Sequence, residues 1–431
     1  MGVGPELPRR RRGRIRRSPT VLAAFTIGIA VLVACSSGSS GPPTLNLYIY
    51  PDNSGAVQQA ADNCTAASGG RYKISYQKLP NGADGQRQQM VRRLAAKDSS
   101  MDILGLDVTW APEFAEAGWI KEWTGDNKAQ VENGTLPGPL ATATYQDKLW
   151  AAPFNSNTQL LWYRSDLVPT PPKTWDEMLK MASDLASQGK PHYVEIQGNQ
   201  YEGITVWFNT LLASGGGSVL TPDGSAPSLG PPAVNALTIM HNLATSPAAD
   251  PSLSVQMEND NRLAMESGVA AFELNYPFVY PSMKSNKPDL FKVFKSAPYP
   301  AVSADQQTHV TIGGINLAVG AYTKHPDLAF EATLCLRDRD NQKIGAVVGG
   351  VPPSIADLYD DPAVQQAYPF AADIKAALAS AAVRPLTPAY QNISIVISHA
   401  VSPPASINPE STEKTMASQI KDALASKGLV P

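Results

Sequence analysis

The chain has 431 residues, enough for two or three domains around a substantial hydrophobic core. Its composition, 43% hydrophobic and 17% charged, is that of a globular protein and excludes a disordered chain or a multi-spanning membrane protein. The formal net charge is −3, but the first 34 residues carry seven Arg and one Glu, so the remainder has a net charge of −9. An acidic chain argues against nucleic acid as a partner.

The N-terminal segment has the three parts of an export signal. A basic block at 9–17 precedes a 14-residue apolar run at 21–34, and a Leu-Val-Ala-Cys sequence ends at Cys35. The apolar run is shorter than the roughly 20 residues that a spanning helix needs. We predict a lipoprotein signal peptide at 1–34, with Cys35 lipidated; a plain signal peptide or a short anchor helix is the alternative. Residues 35–43 would be the lipidated Cys and a flexible tether, held to the membrane by dual acylation.

Strand and helix signals alternate after the tether. Apolar or alternating runs at 45–50, 72–79 and 103–106 predict strands, and helical patterns occupy 54–67 and 84–97. The run at 103–106 is continuously apolar, as in a buried parallel strand. This order predicts right-handed βαβ units and an α/β lobe.

Two polar positions stand at the ends of predicted strands. Asp107 comes after the strand at 103–106, and Tyr276 comes after a strand at 269–274. Open α/β sheets bind ligands at the carboxyl ends of their strands, so both are candidate ligand contacts. Capping of the next helix is a compatible alternative for Asp107.

The stretch from 145 to 166 predicts a passage between two lobes. An apolar run at 148–152 is followed by Pro153, a polar tetrad that includes Asn157, and a second apolar run at 160–163. Because proline cannot donate to a sheet, we expect the first strand to end there and the chain to enter another sheet. An ordinary β-bend is the alternative.

Further patterns extend the alternation to the C-terminus. A capping box at Thr174 begins a helix, and a strand at 193–197 precedes an apolar helix at 204–213. The stretches near Val310 and Gly350 would be the second and third passages between lobes. The predicted lobes are therefore discontinuous: 44–154 plus 310–350 for the N-lobe, and 155–309 plus 351–431 for the C-lobe.

Enzyme motifs are missing from the sequence. It contains no G-x-S-x-G, no H-E-x-x-H and no P-loop, and its five His are not paired with Cys or carboxylates at metal-ligand spacing. We therefore expect neither a metal nor a cofactor. Five aromatic residues near strand ends could stack on sugar rings: Trp110, Trp162, Trp207, Tyr276 and Tyr299. Core packing is the alternative, and we favour it for Trp162 and Trp207.

Two cysteines remain after Cys35 is used. Cys64 and Cys335 lie on predicted helices in the two sequence segments of the N-lobe. In an oxidising compartment an even number of cysteines favours a disulfide, which would tie the discontinuous lobe together. Two buried free thiols are the alternative.

Several motifs together resemble a known family. The sequence KLWAAPFNSNTQLLWYRSDL is similar to the first crossover of the extracytoplasmic solute-binding proteins of ABC importers, in their sugar-binding group. Within that group, LDVTWAPEFAEAGW, VWFNTLLASGGGSVL, VTIGGINLAV and AAVRPLTPAYQ resemble the trehalose-binding lipoproteins of mycobacteria. The resemblance runs from about Thr44 to the C-terminus. Tyr276 departs from the family's Trp, and the segment 283–297 is shorter than expected.

The resemblance implies a fold, a function and a site. The fold would be a type II periplasmic-binding-protein fold, with two α/β lobes joined by a multi-crossing hinge around the ligand. The protein would be a monomeric, lipid-anchored, extracytoplasmic binder of trehalose or a close disaccharide, serving a permease with a separate ATPase and no enzyme itself. Its ligand contacts would be Asp107, Asn157, Glu258, Tyr276 and Arg384.

Two alternatives stay open at this point. The first is an anchored glycosidase that uses Asp107 and Glu258 as its two carboxylates. The second is a binding protein for another solute, such as maltose or a glycerol phosphodiester.

Overall fold

The computed structural model describes residues 41–426. The predicted signal peptide at 1–34, the lipidation site Cys35 and most of the tether lie outside the described residues.

The strands alternate with helices as the apolar periodicity predicts. In the described part of the chain they are β1 (Thr44–Ile49), β2 (Lys73–Lys78), β3 (Ile103–Asp107), β4 (Thr144–Tyr145), β5 (Lys148–Leu149), β6 (Ala152–Asn157), β7 (Leu160–Arg164), β8 (Tyr193–Glu195), β9 (Ala270–Asn275), β10 (Phe294–Ala297) and β11 (Gly313–Val319).

The helices cover both sheets and fill the connections between strands. Over residues 41–426 the α-helices are α1 (Ala56–Ala67), α2 (Ala83–Ala95), α3 (Ala111–Glu116), α4 (Gly125–Glu132), α5 (Pro137–Thr142), α6 (Trp175–Ser187), α7 (Glu202–Ser214), α8 (Gly230–Ala244), α9 (Glu258–Ser267), α10 (Val279–Asn286), α11 (Pro288–Phe291), α12 (Pro326–Leu336), α13 (Arg339–Val347), α14 (Pro362–Ala367), α15 (Ala371–Ala379), α16 (Tyr390–Val401) and α17 (Pro409–Leu424).

The first sheet has five strands in the order β2-β1-β3-β11-β6. Strands β2, β1 and β3 are parallel, whereas β11 runs antiparallel to both of its neighbours, β3 and β6. The central strand β3 is buried along its length until Asp107, as its continuous apolar sequence predicts. The end of β3 is therefore where this sheet offers a polar side chain.

The second sheet has four strands in the order β10-β7-β9-β8. Its hydrophobic core includes the fully buried Trp175 and Trp207, whose rings stack with centroids 5.9 Å apart. Another cluster packs Trp162 against Phe294 at 5.3 Å and against Phe370 at 5.0 Å. These contacts give the second sheet a core of its own, separate from that of the first sheet.

Pro153 lies inside strand β6, so the prediction that this proline ends a strand is wrong. Strand β6 is the edge of the first sheet and pairs only with β11, with an irregular register beside the proline. An edge strand tolerates proline because one of its sides has no partner to receive a hydrogen bond. The passage from the first sheet to the second consists of Thr158 and Gln159, between β6 and β7.

The expected passage near Val310 lies where the chain returns from the second sheet to the first, whereas the one near Gly350 is not marked by a change of sheet, because no strand follows β11 in the described residues. Strand β10 of the second sheet is followed by β11 of the first, and residues 349–353 follow α13. The lobe boundaries at 44–154 plus 310–350 and at 155–309 plus 351–431 stay a prediction.

A disulfide joins two distant segments beside the first sheet. Cys64 on α1 is bonded to Cys335 on α12, with their Cα atoms 5.8 Å apart and a sequence separation of 271 residues. The predicted pairing is thus confirmed.

Candidate ligand-binding site

A cleft of about 800 Å³ contains all five predicted ligand contacts. The cleft is lined from the first sheet by Asp107 and Asn157, and from the other side by Glu258, Tyr276 and Arg384. Its size is within the range of pockets that enclose small ligands. The structure therefore brings together residues that are up to 277 positions apart in sequence.

Asp107 ends β3 and faces the cleft while it also braces the following turn. Its Oδ1 accepts hydrogen bonds from the backbone N–H of Thr109 at 3.1 Å and from the Thr109 hydroxyl at 2.9 Å. None of the described residues donates to Oδ2. The N-cap of α3 is Trp110, and the Asp107 carboxylate bonds Thr109 before it, so the helix-capping alternative is wrong. One oxygen of Asp107 holds the turn and the other is open to a ligand.

Arg384 is the buried cation of the cleft, with 2% of its side chain exposed. Its Nη1 donates to Glu202, and its Nη2 donates to Asp107 Oδ1 at 3.4 Å and to the Ile312 carbonyl at 3.3 Å. Burial alone would lower the pKa of Arg384, but the nearby carboxylates of Asp107 and Glu202 raise it well above the usual value. Arg384 is therefore a charged donor that already has protein partners.

Glu202 is a residue of the cleft that the sequence analysis missed. It is the first residue of α7 and accepts hydrogen bonds from Arg384, Tyr390 and Ser394. Burial raises the pKa of Glu202, and the Arg384 guanidinium opposes this shift. A lone carboxylate at the start of an otherwise apolar helix was the signal in the sequence that could have found it.

Glu258 is the acidic residue opposite, at the first position of α9. Among the described residues no Lys, Arg or His forms a salt bridge with it, and burial raises the pKa of its carboxyl. Tyr201 also lines the cleft; its buried hydroxyl makes no hydrogen bond of normal geometry in the described chain, but it lies near enough to Glu258 to oppose the rise in the pKa of that carboxyl. This side of the cleft therefore has free capacity for hydrogen bonds.

Asn157 stands at the passage between the two sheets. Its Oδ1 accepts from the backbone N–H of Thr158 at 3.1 Å, and its partner across the ladder is Gly313 of β11. A Cβ added to Gly314 would lie 2.6 Å from the Asn155 carbonyl oxygen, and its φ of +130° is one that other residues rarely adopt. The Gly-Gly pair of β11 thus lets the strand approach the asparagines closely.

Tyr276 is the one candidate aromatic that lines the cleft. It is half-buried, follows β9 and has a pKa raised by burial and by the charge of Glu258. The other four aromatics are at least 96% buried and belong to the core, namely Trp110, Trp162, Trp207 and Tyr299. For Trp162 and Trp207 this is the expected outcome.

The cleft carries more negative than positive groups. Its carboxylates are Asp52, Asp107, Glu202 and Glu258, against Arg262 and Arg384. Arg262 is bonded to Glu266 at 2.8 Å, so neither guanidinium is without a carboxylate partner. The arrangement suits an uncharged ligand rich in hydroxyl groups.

Residues 41–426 contain neither a candidate metal site nor a candidate membrane span. No group of three or more His, Cys, Asp or Glu in residues 41–426 could hold a metal ion. Over the same residues no helix is long and apolar enough to cross a membrane.

The model of the bacterial extracellular solute-binding protein family matches residues 54–333 of the chain. The chain belongs to this family. Family membership places it outside the cytoplasm and confirms that it binds a solute and is not an enzyme, so the glycosidase alternative is set aside.

Individual relatives agree along most of their length. A probable ABC transporter-binding protein of Deinococcus radiodurans is 29% identical over 400 residues, covering 88% of this chain and 92% of its own. The maltose-bound structure of T. maritima MalE3 superposes with a TM-score of 0.81 at 25% identity, covering 88% of this chain and 99% of the other. The GacH receptor of Streptomyces glaucescens, at 20% identity and a TM-score of 0.79, shares the fold over 90% of this chain and 100% of its own. The predicted type II two-lobe fold is thereby confirmed.

Proposed function

We propose that the chain is the substrate-binding lipoprotein of an ABC sugar importer, and that its cleft binds trehalose or a close disaccharide. The observation that carries the proposal is the set of polar groups and one aromatic ring around a single 800 Å³ cavity, namely Asp107, Asn157, Glu258, Tyr276 and Arg384. Relatives support the sugar class, since T. maritima MalE3 binds maltose and the Deinococcus radiodurans relative is a probable ABC transporter-binding protein.

The proposed contacts match the chemistry of a neutral disaccharide. Sugar hydroxyls would donate to the free oxygen of Asp107 and to the unpaired carboxylate of Glu258. Asn157 and Arg384 would donate to hydroxyl oxygens, and Tyr276 would stack on the apolar face of one ring. Hydrogen bonds to charged groups are the strong ones, so these few residues would supply most of the affinity.

The transport role requires partners that this chain does not contain. The sequence has no P-loop, so ATP hydrolysis would come from a separate subunit beside a membrane permease. Cys35 would carry the lipid that keeps the protein near the permease. We expect Cys35→Ala protein to leave the detergent phase on partitioning; retention there equal to wild type would contradict lipidation at this residue.

Closure of the two lobes would enclose the sugar. With hinges at the passages between the sheets, the N-lobe (44–154 plus 310–350) and the C-lobe (155–309 plus 351–431) would rotate about three connections. Asp107 and Glu258 belong to different lobes in this division, so a sugar that bridges them would favour the closed form.

A second candidate ligand is maltose, because the similar T. maritima MalE3 binds that sugar. A glycerol phosphodiester fits less well, because among the described residues of the cleft no guanidinium lacks a carboxylate partner and is free to meet the phosphate. Titration calorimetry with trehalose, maltose, sucrose, cellobiose and a glycerol phosphodiester tests the proposal. We expect trehalose to bind most tightly; heat from the phosphodiester alone would overturn the sugar assignment.

A further inference from the structure

Glu202 lines the cleft but has no oxygen left for a ligand. Its Oε1 accepts from Arg384 Nη1 and from the Tyr390 hydroxyl, while its Oε2 accepts from the Ser394 hydroxyl. With 9% of its side chain exposed, it is also poorly placed to reach a solute directly. The contacts of Glu202 therefore point inward, toward the residues that surround Arg384.

The backbone alone does not fix Arg384. Arg384 lies in the irregular segment between α15 and α16, and a long side chain there has several rotatable bonds. Its Nε is buried without a partner in the described chain, and Nη2 makes only long hydrogen bonds of 3.3 and 3.4 Å. The contact from Nη1 to Glu202 is thus the main restraint on the guanidinium.

The same guanidinium connects elements that belong to the two different sheets. Asp107 ends β3 of the first sheet, whereas Glu202 begins α7, which packs in the core of the second sheet through Trp207. Arg384 lies between these two carboxylates. If the Arg384 guanidinium moved away from Glu202, its contact with Asp107 and its position at the edge of the cleft would also change.

We infer that Glu202 is a positioning residue of the binding cleft, whose buried carboxylate holds Arg384 in the orientation that meets Asp107 and the ligand. The inference rests on the proposed sugar-binding function, because its first test measures affinity for a sugar. Because Glu202 does not itself touch the sugar, replacing it should change sugar affinity only while Arg384 is present.

A double-mutant cycle tests this dependence. Glu202→Gln, Arg384→Met and the double variant are compared by calorimetry with whichever disaccharide binds wild type most tightly. We expect Glu202→Gln to weaken binding by about 10- to 100-fold and Arg384→Met by about 30-fold or more. The double variant should match Arg384→Met within about 3-fold. Losses that simply add would overturn the inference.

Two matched controls separate positioning from general damage. Glu195→Gln removes a fully buried carboxylate from β8 of the second sheet, outside the cleft, and should leave affinity unchanged. Ser394→Ala removes the donor to Oε2 and should cost less than about 3-fold, since Arg384 is held through Oε1. If Glu202→Gln does not fold by circular dichroism, the double variant against Arg384→Met decides: equal affinity supports positioning, and a further 10-fold loss contradicts it.

A ligand-free measurement distinguishes failure of this inference from failure of the proposed function. If no sugar in the panel binds wild type, the sugar proposal fails, but the side-chain Nε–H signal of Arg384 can still be followed by NMR in protein labelled with ¹⁵N-arginine. A slowly exchanging signal in wild type that is lost in Glu202→Gln supports positioning. An unchanged signal in the variant overturns it, whatever the ligand is.

Discussion

Glu195 of β8 and Glu273 of β9 face each other in register on neighbouring parallel strands, and both side chains are fully buried. Gln256 donates to Glu195 at 2.7 Å and Asn275 donates to Glu273 at 2.7 Å, but one oxygen of each carboxyl has no partner in the described chain. Burial raises the pKa of each to about 8, and for Glu195 the charges of Asp250 and Glu273 add to the shift. Both carboxyls are therefore protonated in much of the neutral range.

This pair predicts a dependence of stability on pH. A carboxyl whose pKa is about 8 when folded and about 4.5 when unfolded holds more protons in the folded state between these values. The free energy of unfolding should thus fall as the pH rises from about 5 to about 8. Glu195→Gln and Glu273→Gln should be more stable than wild type at pH 8, by on the order of 1–3 kcal/mol each.

Urea unfolding at pH 5, 6.5 and 8 checks the prediction. Glu116→Gln, an exposed substitution on α3, serves as the control. The free energy of unfolding of this variant should change with pH as it does in wild type. A wild-type stability that does not change over this range, or Gln variants less stable than wild type at pH 8, would contradict it.

The role of Tyr276 predicts a difference between two substitutions. Tyr276→Ala should weaken disaccharide binding by about 10-fold, because it would remove the ring that we propose stacks on the sugar. Tyr276→Trp should keep the affinity within about 3-fold, since a larger ring preserves the stacking surface. Calorimetry measures both, with Tyr145→Ala, a half-buried tyrosine outside the cleft, as the control. Equal losses for Ala and Trp would argue against stacking.

The charges of the cleft predict discrimination against anions. Because Arg262 and Arg384 already have carboxylate partners, a phosphate would meet the unpaired Glu258 without compensation. Trehalose 6-phosphate should therefore bind at least about 10-fold more weakly than trehalose. The 6-amino analogue, which has a substituent of opposite charge at the same position, should bind no more weakly than trehalose. Glu258→Gln should reduce the difference in affinity between the 6-phosphate and the 6-amino analogue. If wild type binds trehalose 6-phosphate more tightly than trehalose, the interpretation is wrong.

The disulfide predicts a loss of stability that leaves binding intact. Replacing Cys64 and Cys335 with Ser should lower the free energy of unfolding by roughly 2–5 kcal/mol, because the bond closes a very long loop in the unfolded chain. Neither cysteine lines the cleft, so disaccharide affinity should stay within about 2-fold of wild type. Urea unfolding and calorimetry measure the two effects. Two thiols that react in native, unreduced wild type would contradict the bond.

Much of the fold could be predicted because it depends on local pattern. The strand expected at 103–106 is β3, the helix expected at 84–97 is α2, and the strand expected at 269–274 is β9. In each case the apolar spacing of the sequence matches the face that is buried. The place of Pro153 could not be predicted in this way, since only the neighbours in the sheet decide whether a strand is at an edge.

In the candidate site, too, some residues could be found from the local sequence pattern and others could not. Asp107 and Tyr276 were accessible from the sequence because ligand contacts follow strand ends, whereas Glu258 and Arg384 came through the family resemblance. Glu202 was missed because its function depends on contacts with residues more than 180 positions away. Such contacts leave no periodic trace in the sequence.

The position of β11 in the middle of the first sheet determines when that sheet can be completed during synthesis. Strand β3 lacks one of its two neighbours, and β6 has no partner at all, until residues 313–319 have been made, about three quarters of the way along the chain. Pairings of such sequence separation form late and slowly. The N-terminal strands β3 and β6 therefore keep unpaired edges until most of the chain has been made.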